Sequence, residues 1–260
     1  MTEYDTEFAE FRNKNLMRCI DSADKLMAVS QNWMNAVKEF NYGYNFTWFG
    51  TPIIQFPQDI QLVQEVINEV RPTLIVETGV ARGGSVKLSA SLLAILDLME
   101  SFKDKKSFKQ RRKVIGIDID IRDHTWAAIN DFELHSYIEL IQGSSVDLET
   151  ISNVRKSAEG HTNTLVFLDS NHTHDHVFAE LEAYSELVSI GSYIIVFDTS
   201  IEFDESDYWQ KSNRPWGPGN SPKTAVDKFL EQNQNFAMAR QFDAKLGITV
   251  CPFGVVKRIK

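Results

Sequence analysis

Leu74-Ile75-Val76-Glu77-Thr78-Gly79-Val80-Ala81-Arg82-Gly83-Gly84-Ser85 is an apolar run that ends in an acid and passes through a glycine-rich turn into a helical stretch. Glycine lets the backbone approach a ligand and adopt dihedrals that a side chain forbids. A helix beginning near Ser85 turns its free amide N–H groups toward whatever occupies the loop. The spacing excludes two phosphate binders. No Lys-Ser/Thr pair follows as in a P-loop, and glycines at 79, 83 and 84 do not fit Gly-x-Gly-x-x-Gly. The turn is either a cofactor cradle or only a tight strand-to-helix connection of an α/β fold.

Outward from this turn, apolar strand-like runs alternate with helical periodicity. The pattern predicts helix 57–70, strand 73–78, helix 85–102, strand 113–118, helix 123–130, strand 137–142 and helix 148–157. It continues with strand 164–169, helix 175–188, strand 192–198, helix 223–231 and two closing strands near 245–251 and 255–258. Buried strands separated by helices of this length imply a doubly wound, mostly parallel sheet. Ligands in such sheets bind beyond the carboxyl ends of the strands. Residues 6–40 carry apolar side chains at helical intervals, as one or two helices. They either mediate self-association into a homo-oligomer or cover a core. The aromatic segment 42–57 is either a lid or a packing element.

The chain has 260 residues, 43% of them hydrophobic, enough to bury the core of one α/β domain with embellishments. Its net charge of -9 disfavours a nucleic-acid partner. The basic run between Lys103 and Lys113 reads as a solvated connection. Cys19 and Cys251 are the only cysteines, which suits a reducing cytosol. No apolar run reaches the ~20 residues that span a bilayer, and Met1–Arg12 is acidic and aromatic where a leader would be basic and then apolar. The expectation is a soluble cytoplasmic protein.

Acids at strand ends are the natural candidates for chemistry. Asp118 ends Val114-Ile115-Gly116-Ile117-Asp118 and is the first choice to accept hydrogen bonds from the ribose hydroxyls of an adenosine cofactor. Asp120 is the second, since it could instead cap the following turn. The Gly143-Ser144-Ser145 turn either faces the adenine or is a plain turn. Asp169 is followed by His172, His174 and His176, an acid three residues before a histidine at a pocket edge, which could supply a metal ligand and a neighbouring base. No cysteine or other histidine pair completes a tetrahedral zinc site. Asp198 closes the next strand and should lie beside Asp169, giving two oxygen donors suited to magnesium unless Asp198 only binds loop amides.

The spacing Glu-x-Gly-x-x-x-Gly-Gly resembles the first motif of S-adenosylmethionine (SAM) methyltransferases. The stretches 46–59, 77–85, 116–122, 169–174 and 216–225 together resemble the cephalosporin hydroxylase family, which is similar to SAM-dependent O-methyltransferases and includes rhamnosyl O-methyltransferases. The resemblance implies a class I, Rossmann-like methyltransferase fold with a seven-stranded sheet over 57–260, preceded by a helical extension and aromatic lid over 1–56. It also implies SAM at Glu77, Gly79, Ser85 and Asp118, beside which Arg82, Gly83, Asp120, Ser144 and Ser145 are further candidate contacts, and it implies Mg2+, for which Asp169, Asp198 and Thr199 are the candidate ligands. His172 matches the position of the lysine base in catechol-type relatives. Phe197 and Thr199 depart from the acid and the asparagine expected beside Asp198. The implied reaction is in-line methyl transfer to a hydroxyl of a small acceptor, a sugar of a surface glycan or a natural product, with Asp169 and His172 catalytic. His174, Trp209, Trp216 and Asn220 are the candidate acceptor contacts. A SAM-binding partner protein without catalysis is the alternative. A nucleotide-sugar oxidoreductase is disfavoured by the glycine spacing.

Overall fold

The computed structural model describes residues 3–206 and 208–260. Two helices, α1 (Glu3–Asp21) and α2 (Ala23–Lys38), precede a hairpin of β1 (Phe46–Trp48) and β2 (Thr51–Ile53). Then follow α3 (Pro57–Val70), β3 (Leu74–Thr78), α4 (Gly84–Asp104), β4 (Lys113–Asp118), α5 (Asp123–Asn130), β5 (Ile138–Gln142) and α6 (Leu148–Ser157). The chain continues through β6 (Thr164–Leu168), α7 (His174–Tyr184), β7 (Tyr193–Val196), α8 (Tyr208–Lys211), α9 (Pro222–Gln232), β8 (Phe236–Met238), α10 (Arg240–Leu246) and β9 (Val255–Arg258).

Seven strands form one sheet in the order β5-β4-β3-β6-β7-β9-β8, parallel from β5 to β7 and antiparallel at β9 and β8. Side chains alternate between the two faces. Ile75, Leu165 and Ile195 enter the core under α3 and α4, while Val76, Val166 and Val196 enter the core under α7 and α9. All six are fully buried, each contributing about 1.5–3 kcal/mol. That explains why the central strands read as unbroken apolar runs. The chain winds outward from β3 to β5 and returns to place β6 beside β3, so the topological switch point lies where the Gly79 and Asp169 loops meet.

The hairpin turns on Phe49 and Gly50, both at positive φ, and docks on α4 through the Trp48 indole N–H, which donates to Ser91 Oγ at 3.0 Å. Gly84 permits that docking: a Cβ there would overlap the Pro52 carbonyl oxygen and lie 2.7 Å from Ile53 Cα. The aromatic segment thus packs against the domain.

Two expectations need correction. Residues 245–251 form the end of α10 and a loop, because the buried carboxylate of Asp59 accepts from the Thr249 hydroxyl and from the Val250 N–H at 3.1 Å, which takes that amide away from a strand ladder. The edge strand is instead Phe236–Met238, held by Phe236 packing on Phe229 at 5.2 Å. The basic run is solvated only in part. Arg112 is buried and pairs with Asp97 and, at 2.6 Å, with Glu100. Among the described residues no helix is long and apolar enough to cross a membrane.

Candidate active site

The glycine loop is held open from below. Asp118 Oδ2 accepts from the amides of Val80 (2.9 Å) and Ala81 (3.0 Å), and its Oδ1 accepts from Asp120 N at 3.0 Å. The carboxylate fixes the loop through three of its roughly four acceptor sites. Asp120 is exposed, as is its partner Arg122, 3.2 Å away. Arg82 lies at the loop surface beside His124, and Gly83 caps α4 at φ 89. Glu77, at the end of β3, is 2% exposed. Burial pushes its carboxyl up to about 7, against hydrogen bonds from Ser85 and Ser89 that hold it down.

Three side chains converge at the strand tips. Ligand atoms of Asp169, His172 and Asp198 lie within 4.8 Å of one another, with His172 Nε2 3.2 Å from Asp198 Oδ2. Burial, then the carboxylates of Asp198, Glu77, Asp59 and Glu180, hold the Asp169 carboxyl well above the usual range. Gln55 donates through Nε2 to Asp169 Oδ2 at 3.2 Å, and its buried Oε1 has no partner among the described residues. The imidazole of His172 meets the Trp216 ring edge-on, centroids 4.9 Å apart.

These residues stand where two cavities meet. One, of about 680 Å³, is lined by the loop from Gly79 to Ser85. The other, of about 1020 Å³, is walled by α2, the aromatic segment, Trp209, Arg214 and Trp216. Tyr44, Ile54, Gln55, Asp169, His172 and Asp198 line both.

Several expected residues lie elsewhere. Thr199 is buried, donates its hydroxyl to the Pro252 carbonyl at 2.7 Å and lines neither cavity. Ser145 is buried and donates to Glu180 at 2.5 Å, with His176 Nε2 3.0 Å away; neither it nor Ser144 lines the cavity at the glycine loop. His174 and Asn220 do not line the larger cavity. Asn220 accepts from the His174 amide at 2.9 Å and donates to the Pro215 carbonyl at 2.7 Å, and His174 Nδ1 meets Thr224 Oγ1 at 2.8 Å, a clip that ties the 215–224 segment to α7. Phe197, adjacent to Asp198, is buried against Phe167 in the core.

Sequence reasoning missed Gln55, Arg214 and the α2 residues Met34, Val37 and Lys38 as cavity walls. The one polar side chain among Ile53, Ile54 and Phe56 was the available signal for Gln55. The α2 residues carried none, since they look like any amphipathic helix face.

Comparison with known proteins agrees with this fold. The family described as Rhamnosyl O-methyltransferase/CmcI matches residues 40–259. A rhamnosyl O-methyltransferase of Mycobacterium leprae (strain TN) is 26% identical over 162 residues, 62% of this chain and 64% of that relative. One from Mycobacterium tuberculosis (strain ATCC 25618 / H37Rv) is 23% identical over 218 residues, 82% of this chain and 78% of that relative. Among solved structures, the magnesium–SAM form of CmcI superposes with a TM-score of 0.55 at 21% identity, covering 84% of this chain and 78% of that one. The apo form of CmcI gives 0.55 at 23%, covering 84% and 77%. The sheet is therefore that of the class I SAM-dependent methyltransferases, and the chain belongs to the rhamnosyl O-methyltransferase/CmcI family.

Proposed function

We propose that this protein is a SAM-dependent O-methyltransferase that methylates a hydroxyl of a small acceptor, a sugar of a glycan or a natural product, with a divalent cation at Asp169 and Asp198. The observation that carries the reading is the convergence of Asp169, His172 and Asp198 on the seam between a glycine-loop cavity and an aromatic cavity. The names of the mycobacterial relatives support it.

SAM supplies an electrophilic methyl group, and a bound cation lowers the pKa of the acceptor hydroxyl. The donor set fits such a cation: two carboxylates crowd one another, and beside them the Gln55 Oε1 is a buried oxygen without a partner among the described residues. Glu77 lies behind the loop to face the cofactor's cationic amino-acid end, with Ser85 at the α4 N-terminus. Asp120, more open than Asp118, takes ribose hydroxyls. Trp209 and Trp216 offer stacking faces for the acceptor. His172, with Nε2 3.2 Å from Asp198 Oδ2, is the base that would receive the hydroxyl proton. Holding acceptor and cofactor in abutting cavities accounts for up to about 7–11 kcal/mol of barrier lowering.

The test incubates the protein with labelled SAM, Mg2+ and a panel of glycans and natural products and identifies the labelled product by mass spectrometry. The burial of Phe197, which leaves one carboxylate fewer beside Asp198, favours a second reading, a SAM-binding protein without turnover. Tight SAM binding with no methylated product across the panel decides for it.

A further inference from the structure

The larger cavity has a charge pattern beyond what methyl transfer to a hydroxyl requires. Its floor is acidic, at Asp169 and Asp198. Lys38 and Arg214 are the cations on its walls among the described residues. Lys38 is already neutralised: its ammonium pairs with Asp204 and donates to Asn35 Oδ1 at 2.9 Å. Arg214 has no carboxylate partner among the described residues and rests its guanidinium on the Trp216 ring, 5.1 Å from the centroid. Trp209 lines the same cavity, and its indole N–H is buried without an acceptor among those residues. A buried donor left unpaired costs stability, which applies to the Trp209 N–H, while Arg214 is exposed at the cavity wall and carries a charge that no carboxylate among the described residues neutralises; both favour the same ligand, an oxyanion.

Resting on the methyltransferase reading, we propose that the acceptor carries a carboxylate or phosphate group that binds Arg214 and Trp209 while its reacting hydroxyl faces Asp169, His172 and Asp198. Trp216 sets the spacing. Its ring centroid is 5.1 Å from the guanidinium carbon and 4.9 Å from the imidazole centroid, which bounds the distance from Arg214 to His172 at about 10 Å. One sugar ring bearing a charged substituent fits within that limit. The guanidinium attracts the anion at the cavity wall, away from the strand-tip cluster, so the charged group and the reacting hydroxyl sit at opposite ends of the acceptor. Arginine suits both oxyanions, since its planar fork matches either bidentately.

Titrating the whole protein at low salt and following tryptophan fluorescence, with methyl glucoside, glucuronate and glucose 1-phosphate as probes, tests the inference. An anionic probe binds about tenfold more tightly than the neutral one, and the tighter of the two anions names the source of the charge. Arg214→Gln erases the preference, Arg214→Lys keeps part of it, and Trp209→Phe weakens anion binding. Calorimetric titration of Arg214→Gln with SAM, expected to match the wild type, shows that the variant folds. Equal affinity for neutral and anionic probes, no saturable binding of either anion, or a preference that survives Arg214→Gln overturns the proposal. None of these readouts involves turnover. Failure to bind SAM would instead remove the methyltransferase reading and leave the anion preference to be judged on its own.

Discussion

Gly79 faces the main chain of Asp169 so closely that a Cβ on it would overlap the Asp169 carbonyl oxygen and lie 2.6 Å from its carbon. The first glycine of the loop is thus required by the neighbouring strand tip, which carries Asp169, as well as by its own φ of 87. The loops after β3 and β6 are locked in register through this contact.

Gly79→Ala should therefore cost about 1–2 kcal/mol for left-handed backbone plus about 1–3 kcal/mol for overpacking. Gly160 is the control, with φ 83 and open space within 4 Å of where a Cβ would stand, so Gly160→Ala should pay only the backbone share. Denaturant unfolding of the two variants decides; equal losses would show that the Asp169 contact is slack.

Glu77 predicts a pH dependence of known sign. Its carboxyl titrates near 4.5 when solvated and near 7 in the fold. Below 4.5 both states are protonated and no penalty exists. Between 4.5 and 7 the unfolded chain releases its proton first, so stability falls as pH rises, by about 3 kcal/mol in all. Glu77→Gln should flatten that slope and be more stable than the wild type at pH 8. Asp59, raised to about 7 by burial, keeps a slope of the same sign in the variant. SAM affinity should strengthen in the wild type as pH rises through 7 and stay weak and flat in Glu77→Gln. Calorimetric titration at pH 6 and 8 reads this directly, and an unchanged pH profile in the variant would remove Glu77 from the cofactor site.

Divalent cation should stabilise the protein by relieving the repulsion between Asp169 and Asp198. At a concentration tenfold above Kd the gain is about 1.4 kcal/mol, a rise in Tm of roughly 3–6 °C. Asp169→Asn should abolish the rise, and chelator should reverse it in the wild type. Thr199→Val should lose about 1 kcal/mol of stability by leaving the Pro252 carbonyl unpaired, yet keep the full response to Mg2+. A Thr199→Val protein deaf to Mg2+ would restore Thr199 as a ligand.

Asn220→Ala should act at a distance. Losing its bonds to the His174 amide and the Pro215 carbonyl frees the segment that carries Trp216. The KM for the acceptor should rise about tenfold, the equivalent of about 1.4 kcal/mol, while SAM affinity holds. A variant with unchanged KM would show that the clip does not position the cavity wall.

The sheet was legible because each of its central strands is a local event. Leu74–Thr78 and Lys113–Asp118 are apolar on both faces and bounded by turn residues, so their periodicity needs no partner to be recognised. Asp118 was located correctly at a strand end, but the partners that hold it and Thr199 could not be read there, since a side chain's partner comes from another element. Backbone amides of the glycine loop claim Asp118, and the Pro252 carbonyl claims Thr199. Residues 245–251 look like a strand by composition, and only the buried carboxylate of Asp59, 190 positions earlier than Thr249, takes the Val250 amide away from a ladder.

By itself the sequence determined the alternation of strands and helices, the glycine turn after β3 and the acids at the strand tips. Hydrophobic period, turn chemistry and glycine spacing are properties of contiguous residues. Only tertiary structure decided which acids face one another, that Gln55 reaches Asp169, and that Arg214 rests on an aromatic wall, because those relations join side chains whose meeting depends on the strand order that brings β6 back beside β3 and on the loops that order gathers.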